Sequence, residues 1–270
     1  MLANLHTHST YCDGKNTPEE IVLTAIDKGF SSIGFSGHGY TPYDLRYCMK
    51  DTLGYKKEVL RLKEAYRDKI QVYLGLEEDA FAPANREDFD YIIGSSHYLK
   101  VDGEYYPIDS GRSYFEKCLE IFNYDVIGLA NAYYTAFCDY IAYRKPDIIG
   151  HFDLITKFDE LSTPRFLNNA EYNRIAEGAV LRAAKAGCIF EVNTGAISRG
   201  YRTSPYPYEN LLRLLKNEGA RVIVTTDCHK AENLDFSIEE TQRYLYDIGF
   251  RCDYVLYDGQ FIKNKLAFGG

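Results

Sequence analysis

The histidines are the residues of this 270-residue chain whose types and spacing most clearly indicate chemistry, because each follows a short apolar segment. In chain order they are His6, His8, His38, His97, His151 and His229. Carboxylates follow the same kind of segment at Glu77, Glu78, Asp79, Asp153, Glu191 and Asp227. Neutral imidazoles and carboxylates together are the ligands of transition metals such as Zn, Mn or Fe. The set therefore predicts a metal site, provided that the segments end at one edge of one structure.

Taken singly, these residues have simpler interpretations. A lone histidine after a strand, such as His38, is more typical of a surface or capping residue, and Glu77 alone would be expected in solvent. The segment TTDCHK at 225–230 alone could be a polar strand end. Independent placement of all six histidines after strands is far less probable than a common cause, so the metal interpretation is favoured.

Seven short apolar runs alternate with longer amphipathic stretches, which predicts β/α units. The runs cover residues 2–5, 32–37, 71–76, 90–96, 147–150, 188–192 and 221–226. Seven strands with helical crossovers favour a parallel barrel over an open sheet, which this pattern alone leaves possible. In both architectures the functional end of the sheet is the carboxyl end of its strands.

The predicted helices carry recognisable end signals. TPEEIVLTAIDKGF begins with Thr17 as N-cap and reaches Gly29 near its C-terminal end. Two further helices are predicted to end at Gly187 and Gly219. The least regular stretch, 100–146, predicts a loop around DGEYYPIDSG followed by a long helix or a helix pair.

Composition narrows the class of protein. A hydrophobic content of 46% and a charged content of 26% are ordinary for a globular protein, and we expect a single domain over 1–270. The net charge of −8 gives no basic surface for nucleic acid. The amino terminus leaves no room for a signal peptide, and no apolar run could span a membrane. Seven scattered cysteines without a CxxC pair predict reduced thiols and a cytoplasmic location; the oligomeric state is not predicted.

The ordered segments resemble a known family. HTHSTYCDG, SGH, GLEED, IIGSSH, GHFD and TTDCH, between residues 6 and 229, resemble the successive motifs of the PHP (polymerase and histidinol phosphatase) family. Within that family FDYIIGSSHYLK, YYPIDSG, GHFDLITKF and EVNTGAISRG are most similar to histidinol-phosphate phosphatases. The resemblance implies a distorted (β/α)7 TIM-like barrel, a single PHP phosphoesterase domain, with a trinuclear metal cluster at the carboxyl ends of the strands.

The resemblance also implies a ligand set of two to three divalent ions. His6, His8 and Asp227 would hold the first metal, with Glu77 as a bridge to the second. His97 and His151 would complete the second, and Asp13, His38 and His229 would hold the third. Many relatives have a histidine where this chain reads Cys12-Asp13-Gly14. An acidic residue is also familiar there in the family, so both an ordinary third site and a softer, weaker one are open.

Closely spaced divalent ions suit hydrolysis of a phosphomonoester. The dianionic phosphate also needs protein cations, and Arg199 is the first candidate because a guanidinium can grip two oxygens at once. Lys157 and Arg202 are further candidates, with a solvated loop cation as an equally good interpretation of Lys157. The leaving alkoxide needs a proton, which Asp153 or a metal-bound water could supply.

The resemblance implies conversion of L-histidinol phosphate and water to L-histidinol and phosphate, in histidine biosynthesis. Glu78, Asp79 and Asp153 are candidates to receive the ammonium and imidazole of this substrate. The alternatives are a PHP phosphoesterase for a phosphotyrosine peptide or a nucleotide, an amidohydrolase-type barrel, and a non-catalytic PHP module. An amidohydrolase would usually bridge its metals with a lysine, where this chain has Glu77.

Overall fold

The computed structural model describes residues 1–161 and 163–268. The strands are β1 (Ala3–Asn4), β2 (Ser32–Phe35), β3 (Gln71–Asp79), β4 (Tyr91–Ser95), β5 (Tyr98–Val101), β6 (Glu104–Pro107), β7 (Ile148–Ile149), β8 (Ile189–Asn193), β9 (Val222–Thr225), β10 (Cys252–Tyr257) and β11 (Gln260–Lys265). The helices are α1 (Pro18–Asp27), α2 (Thr52–Ala65), α3 (Arg112–Ile121), α4 (Val126–Arg144), α5 (Ala170–Ala184), α6 (Gly195–Ser198), α7 (Glu209–Asn217) and α8 (Ile238–Ile248).

Seven parallel strands form the central sheet, in the order β1-β2-β3-β4-β7-β8-β9. Each coincides with one of the seven apolar runs predicted from the sequence. Beyond the ends of β1 and β9, Thr7 and Cys228 form a parallel bridge, in which the His8 N–H donates to the Cys228 carbonyl at 2.9 Å. This bridge brings the first and last strands together, so the sheet curls into a nearly closed barrel. The predicted α/β class and the TIM-like barrel are confirmed.

The barrel interior is filled by side chains that alternate along the strands. Tyr73, Tyr91 and Ile93 belong to this inner cluster. The Tyr91 ring occupies so much of the interior that a Cβ on Gly75 would lie 2.2 Å from it. The Tyr91 hydroxyl donates to the Leu5 carbonyl at 2.5 Å, which ties β4 to the residue after β1 across the barrel. The interior is therefore a packed core that supports whatever lies above it.

Helix ends follow the predicted signals. The Thr17 hydroxyl accepts the Glu20 N–H at 3.3 Å, and the Glu20 carboxylate accepts the Thr17 N–H at 2.8 Å, which makes a capping box. The helix pair predicted within 100–146 is present as α3 and α4. The loop predicted before it is wrong in part, because β5 and β6 form an antiparallel hairpin there. Its turn carries Asp102 and Gly103, both at positive φ, and an Asp-Gly pair favours such a turn.

A second hairpin, β10–β11, follows α8 and was not predicted. Leu256 of β10 joins the inner cluster, and its carbonyl accepts the Ser32 hydroxyl at the start of β2. The hairpin therefore covers the amino-terminal end of the barrel and leaves the carboxyl ends of the strands open.

The described residues include no helix long and apolar enough to cross a membrane. All seven cysteines are free thiols. The single domain over 1–270 stays a prediction.

Candidate metal centre and active-site cavity

Glu77 lies at the centre of the carboxyl end of the barrel. The alternation of β3 turns Tyr73, Gly75 and Glu77 inward and sends Glu78 to the outer face. The Glu77 carboxylate faces five imidazoles. Its Oε2 lies 3.3 Å from His6 Nε2, 3.6 Å from His8 Nε2 and 2.8 Å from His38 Nδ1. Its Oε1 lies 3.3 Å from His97 Nε2 and 2.9 Å from His151 Nε2. One carboxylate thus offers each of its oxygens to a different group of histidines.

Asp227 and His229 follow β9 but serve different neighbours. Asp227 Oδ1 lies 3.1 Å from His8 Nε2 and 3.7 Å from His6 Nε2. Asp227 has a φ of 46°, in the left-handed region that aspartate tolerates better than most residues. The chain then turns, and His229 Nε2 lies 3.2 Å from Asp13 Oδ2. The left-handed backbone at Asp227 explains how both residues can follow a core strand directly while Asp227 faces His6 and His8 and His229 faces Asp13.

Asp13 marks the outer part of the cluster. Its Oδ1 lies 3.6 Å from His8 Nδ1 and 3.8 Å from His38 Nε2. The Asp13 side chain is 33% exposed, whereas Glu77 is 1% exposed. Asp13 is therefore more open to solvent than the centre of the cluster.

Four overlapping groups of side chains could each hold a metal ion, because their ligand atoms lie within 4.8 Å of one another. They are His6–His8–Asp227, His6–Glu77–His151, His38–Glu77–His97 and His8–Asp13–His38–His229. All nine ligands predicted from the sequence are brought together in these groups. Their individual assignment to metals stays a prediction.

The residues fit such ions. His6 Nε2, His8 Nε2 and Glu77 Oε2 are buried and make no hydrogen bond among the described residues, although each lies near the others. Buried polar atoms without a partner are rare in native proteins. For ligands at about 2.0–2.1 Å from a tetrahedral ion, adjacent ligand atoms are ~3.3 Å apart. The spacing of 3.3 Å between His6 Nε2 and Glu77 Oε2 matches that value.

The protonation states of Glu77 and His8 suit ligation directly. For His6, His38 and His97, burial lowers the pKa but the facing carboxylates raise it by more, so these imidazoles lose a proton when they bind an ion. Burial opposes ionisation of Glu77, but the His6, His38 and His97 imidazoles outweigh it and hold the pKa of Glu77 well below its usual range. Burial, together with the neighbouring His229 and His38 imidazoles, lowers the pKa of His8 to about 3. Metal ligands must be a carboxylate and a neutral imidazole, and these two residues are so at neutral pH.

Glu191, at the inner face of β8, supports two of the histidines from behind. Its Oε1 lies 2.5 Å from His6 Nδ1, and its Oε2 accepts the His151 N–H at 2.6 Å. Thr225 and Asn193 donate to the same carboxylate at 2.7 and 3.0 Å. A carboxylate only accepts, so His6 Nδ1 carries the hydrogen and its Nε2 lone pair faces the cluster. Sequence reasoning placed Glu191 at a strand end without assigning it a role.

A cavity of about 370 Å³ opens above the cluster. Arg199 and Lys157, two of the predicted phosphate-binding residues, line it. So do several residues that sequence reasoning missed, namely Arg46, Tyr47, Asp109, Ser110, Leu154 and Tyr201. Most of them lie on loops that reach the cavity from other parts of the chain. The sequence signals were YYPIDSG, which contains Asp109 and Ser110, and GHFDLITKF, which contains Leu154.

Arg199 lies at the edge of the cluster. Its Nη1 donates to the Asp227 carbonyl and its Nη2 to Asp227 Oδ2, both at 2.8 Å. A guanidinium has five N–H donors, so three remain beyond these two bonds, and Nη1 also lies 3.4 Å from His229 Nδ1. The side chain is 29% exposed and reaches the cavity. Arg199 can therefore donate to an oxygen atom of a ligand in the cavity and to the Asp227 carboxylate at the same time.

Asp153 and Arg202 lie outside the cavity, which corrects the expectation that they contact substrate. Both side chains are fully buried and face each other at 3.5 Å. Asp153 accepts the Tyr208 N–H, and the Arg202 guanidinium packs on the Tyr208 ring at 3.5 Å from its centroid. Burial raises the pKa of Asp153. The pair joins the loop after β7 to the loop before α7, and we assign it that structural role.

Glu78 and Asp79 are likewise unavailable to a substrate cation. Glu78 points to the outer face, where Arg144 donates to both of its oxygens at 2.7 Å. Asp79 accepts the Tyr43 hydroxyl at 2.6 Å and the His97 N–H at 3.0 Å. Asp79 thereby positions His97, and its carboxylate does not line the cavity.

The fold and the site together define a (β/α) barrel with a candidate metal centre at the carboxyl ends of its strands. The chain belongs to the PHP family, because the model of the PHP domain matches residues 4–195.

Several known proteins are similar along most of the chain. A probable histidinol-phosphatase of Schizosaccharomyces pombe is 28% identical, over 92% of this chain and 87% of that protein. The histidinol-phosphatase of Bacillus subtilis is 24% identical, over 87% of this chain and 96% of that protein. The crystal structure of histidinol phosphate phosphatase from Lactococcus lactis, complexed with Zn, L-histidinol and phosphate, shares the fold with a TM-score of 0.71. That structure is 21% identical and covers 97% of this chain and 99% of its own.

Proposed function

We propose that this chain is a metal-dependent phosphomonoesterase that hydrolyses L-histidinol phosphate to L-histidinol and phosphate. The observation that carries the proposal is the convergence of six histidines and three carboxylates around Glu77, with buried nitrogen and oxygen atoms that have no other partner. The names of the curated relatives support the substrate. The metal-bound Lactococcus lactis enzyme supports the use of divalent metal and, among Zn, Mn and Fe, favours Zn.

Two to three ions are proposed, held by the predicted ligands. His6, His8 and Asp227 would hold one, His97 and His151 another, and Asp13, His38 and His229 a third, with Glu77 between the first two. Ions bound there would polarise the phosphoryl group and lower the pKa of a water that attacks it.

The chain's own residues supply orientation and charge. Arg199 presents its remaining donors to the cavity from beside Asp227, where a phosphate oxygen can accept them. Lys157 adds a second cation to the cavity lining, where its Nζ bonds to the Asp109 carbonyl at 2.9 Å. Glu191 keeps the hydrogen of His6 on Nδ1 throughout, so the Nε2 lone pair stays directed at the cluster.

The bridging group argues against the amidohydrolase alternative. Among the described residues that line the cavity, Lys157 is the one lysine. It bonds to Asp109 rather than to the metal-ligand cluster. The central position is taken by Glu77. We therefore propose a small-molecule phosphate ester as the partner rather than nucleic acid, in keeping with a net charge of −8. Seven free thiols support a cytoplasmic location.

The test is phosphate release from a panel of phosphomonoesters after loading the protein with Zn or Mn. The panel contains L-histidinol phosphate, phenyl phosphate, a phosphotyrosine peptide and a nucleotide, and chelator-treated protein is the control. We expect the highest kcat/KM for L-histidinol phosphate. A higher kcat/KM for the peptide or the nucleotide would replace the proposed substrate, and absence of release from every ester would remove the phosphatase proposal.

A further inference from the structure

The proposed substrate carries two kinds of charge, and the cavity must accommodate both. The phosphate is dianionic, whereas the L-histidinol part carries an ammonium group and an imidazole. The three carboxylates expected from the sequence to receive these cations are buried and occupied by Arg144, Tyr43 and Arg202, as described above. The leaving group therefore needs another carboxylate.

Asp109 is a carboxylate that lines the cavity and lies outside the metal-ligand cluster. The other described carboxylates of the lining are Asp13, Glu77 and Asp227, which are all candidate ligands. The Asp109 side chain is 20% exposed, so a ligand in the cavity can reach it. Its position is fixed, because the N–H of the preceding Ile108 donates to the His97 carbonyl at 2.9 Å.

The Asp109 carboxylate is only partly used by the protein. Lys157 Nζ lies 3.2 Å from Oδ2, and no described residue donates to Oδ1. The lysine also donates to the Asp109 carbonyl, so it stays in place without the carboxylate. Oδ1 can accept one further hydrogen bond from a charged donor, and such bonds are stronger than neutral ones.

We propose that Asp109 forms the subsite for the ammonium group of the leaving alcohol and selects esters of amino alcohols over neutral ones. The phosphate would lie toward Arg199 and the cluster, with the organic cation toward Asp109 on the loop between β6 and α3. This inference rests on the proposed function for the identity of the ester, and it adds the residue that recognises the alcohol.

The first experiment compares D109N with the wild type on two esters. For L-histidinol phosphate we expect kcat/KM to fall by about 10- to 100-fold, the range of one charged hydrogen bond. For phenyl phosphate, whose leaving group has no cation, we expect a change below about threefold. D102N is the matched control, because Asp102 is exposed at the hairpin turn and asparagine also tolerates its positive φ.

K157A separates recognition of the cation from orientation of the lysine. If Asp109 acts only by placing Lys157, then D109N and K157A will lower kcat/KM for both esters alike, and the subsite is overturned. If the subsite exists, K157A will affect both esters while D109N affects mainly the cationic one. An unchanged kcat/KM for both esters in D109N also overturns the proposal.

Binding of L-histidinol to the metal-loaded protein, measured by calorimetry, decides the matter without turnover. We expect the dissociation constant to rise about 10- to 100-fold in D109N. If the wild type releases no phosphate from L-histidinol phosphate, the proposed function fails. The subsite then stands if L-histidinol binds the wild type and binds D109N more weakly, and it falls if binding is absent or unchanged.

Discussion

Glu191→Gln is the substitution that most directly tests how the cluster is positioned. The Glu191 carboxylate accepts four hydrogen bonds in the barrel interior and is 1% exposed. Glutamine has the same shape but only one acceptor oxygen. If that oxygen faces His6 and Thr225, the amide NH2 faces the His151 N–H and Asn193, so two donors lose their acceptor.

The magnitude follows from those two donors. A buried donor without a partner costs about 1–3 kcal/mol. Because neighbouring groups can relax, we expect the free energy of unfolding of the metal-free protein to fall by about 2–4 kcal/mol. The opposite amide orientation places the NH2 against His6 Nδ1 and favours the wrong tautomer for ligation. Loss of such a supporting carboxylate typically weakens metal binding 10- to 100-fold, and we expect roughly that loss here.

Two measurements are needed. Urea unfolding of the metal-free protein gives the stability, and competition with a chromophoric chelator gives the metal affinity. Glu218→Gln is the matched control, because Glu218 is exposed at the end of α7. Lower stability with unchanged metal affinity would show that Glu191 only satisfies buried donors, and the positioning role would be refuted. Wild-type values for both quantities would refute the whole argument.

Three further expectations concern the cluster itself. Glu77→Gln should lower metal content and abolish nearly all phosphate release. Glu78→Gln should keep its metal but unfold at a lower urea concentration, because it loses the charge paired with Arg144. Equal metal loss in both variants would argue against a central role for Glu77. Arg199→Ala should lower kcat/KM by about 10- to 100-fold, and Arg199→Lys should recover only part of the lost kcat/KM. Full activity of the alanine variant in steady-state kinetics would remove Arg199 from phosphate binding. Treatment with a chelator should lower the melting temperature, and added Zn or Mn should restore it, since an ion bound only by the native state stabilises that state; an unchanged melting temperature on verified metal removal would contradict this.

The sequence by itself was sufficient for the seven strands of the barrel and for most of the candidate ligands, whereas both hairpins and the role of Asp13 needed more than the local pattern. Each barrel strand is a local apolar run, and every candidate ligand except Asp13 follows such a run by one to three residues. Because the carboxyl ends of parallel strands meet at one end of a barrel, the order of motifs along the chain already placed His6 near Asp227. The capping box at Thr17 and the helix ends were equally local signals, and they were read correctly.

The sequence did not determine which carboxylates are free. QVYLGLEED is buried on both faces of β3, so no alternation of apolar and polar residues distinguishes the inward Glu77 from the outward Glu78. The tertiary structure decided this through α4, whose Arg144 meets Glu78. It likewise paired Asp153 with Arg202, more than forty residues apart, and removed both from the cavity.

Asp109 and Glu191 are residues whose roles the local sequence did not reveal. The segment YYPIDSG around Asp109 resembles a family motif but does not show that this side chain lines a cavity, because its position depends on a loop bonded to the His97 carbonyl. Glu191 gains its role from His6, 185 residues away in the chain. Local patterns determined which residues could do chemistry, and packing between distant segments determined which of them are free to do it. The reason is that a buried charge must be paired, and its partner comes from whichever segment the fold packs against it.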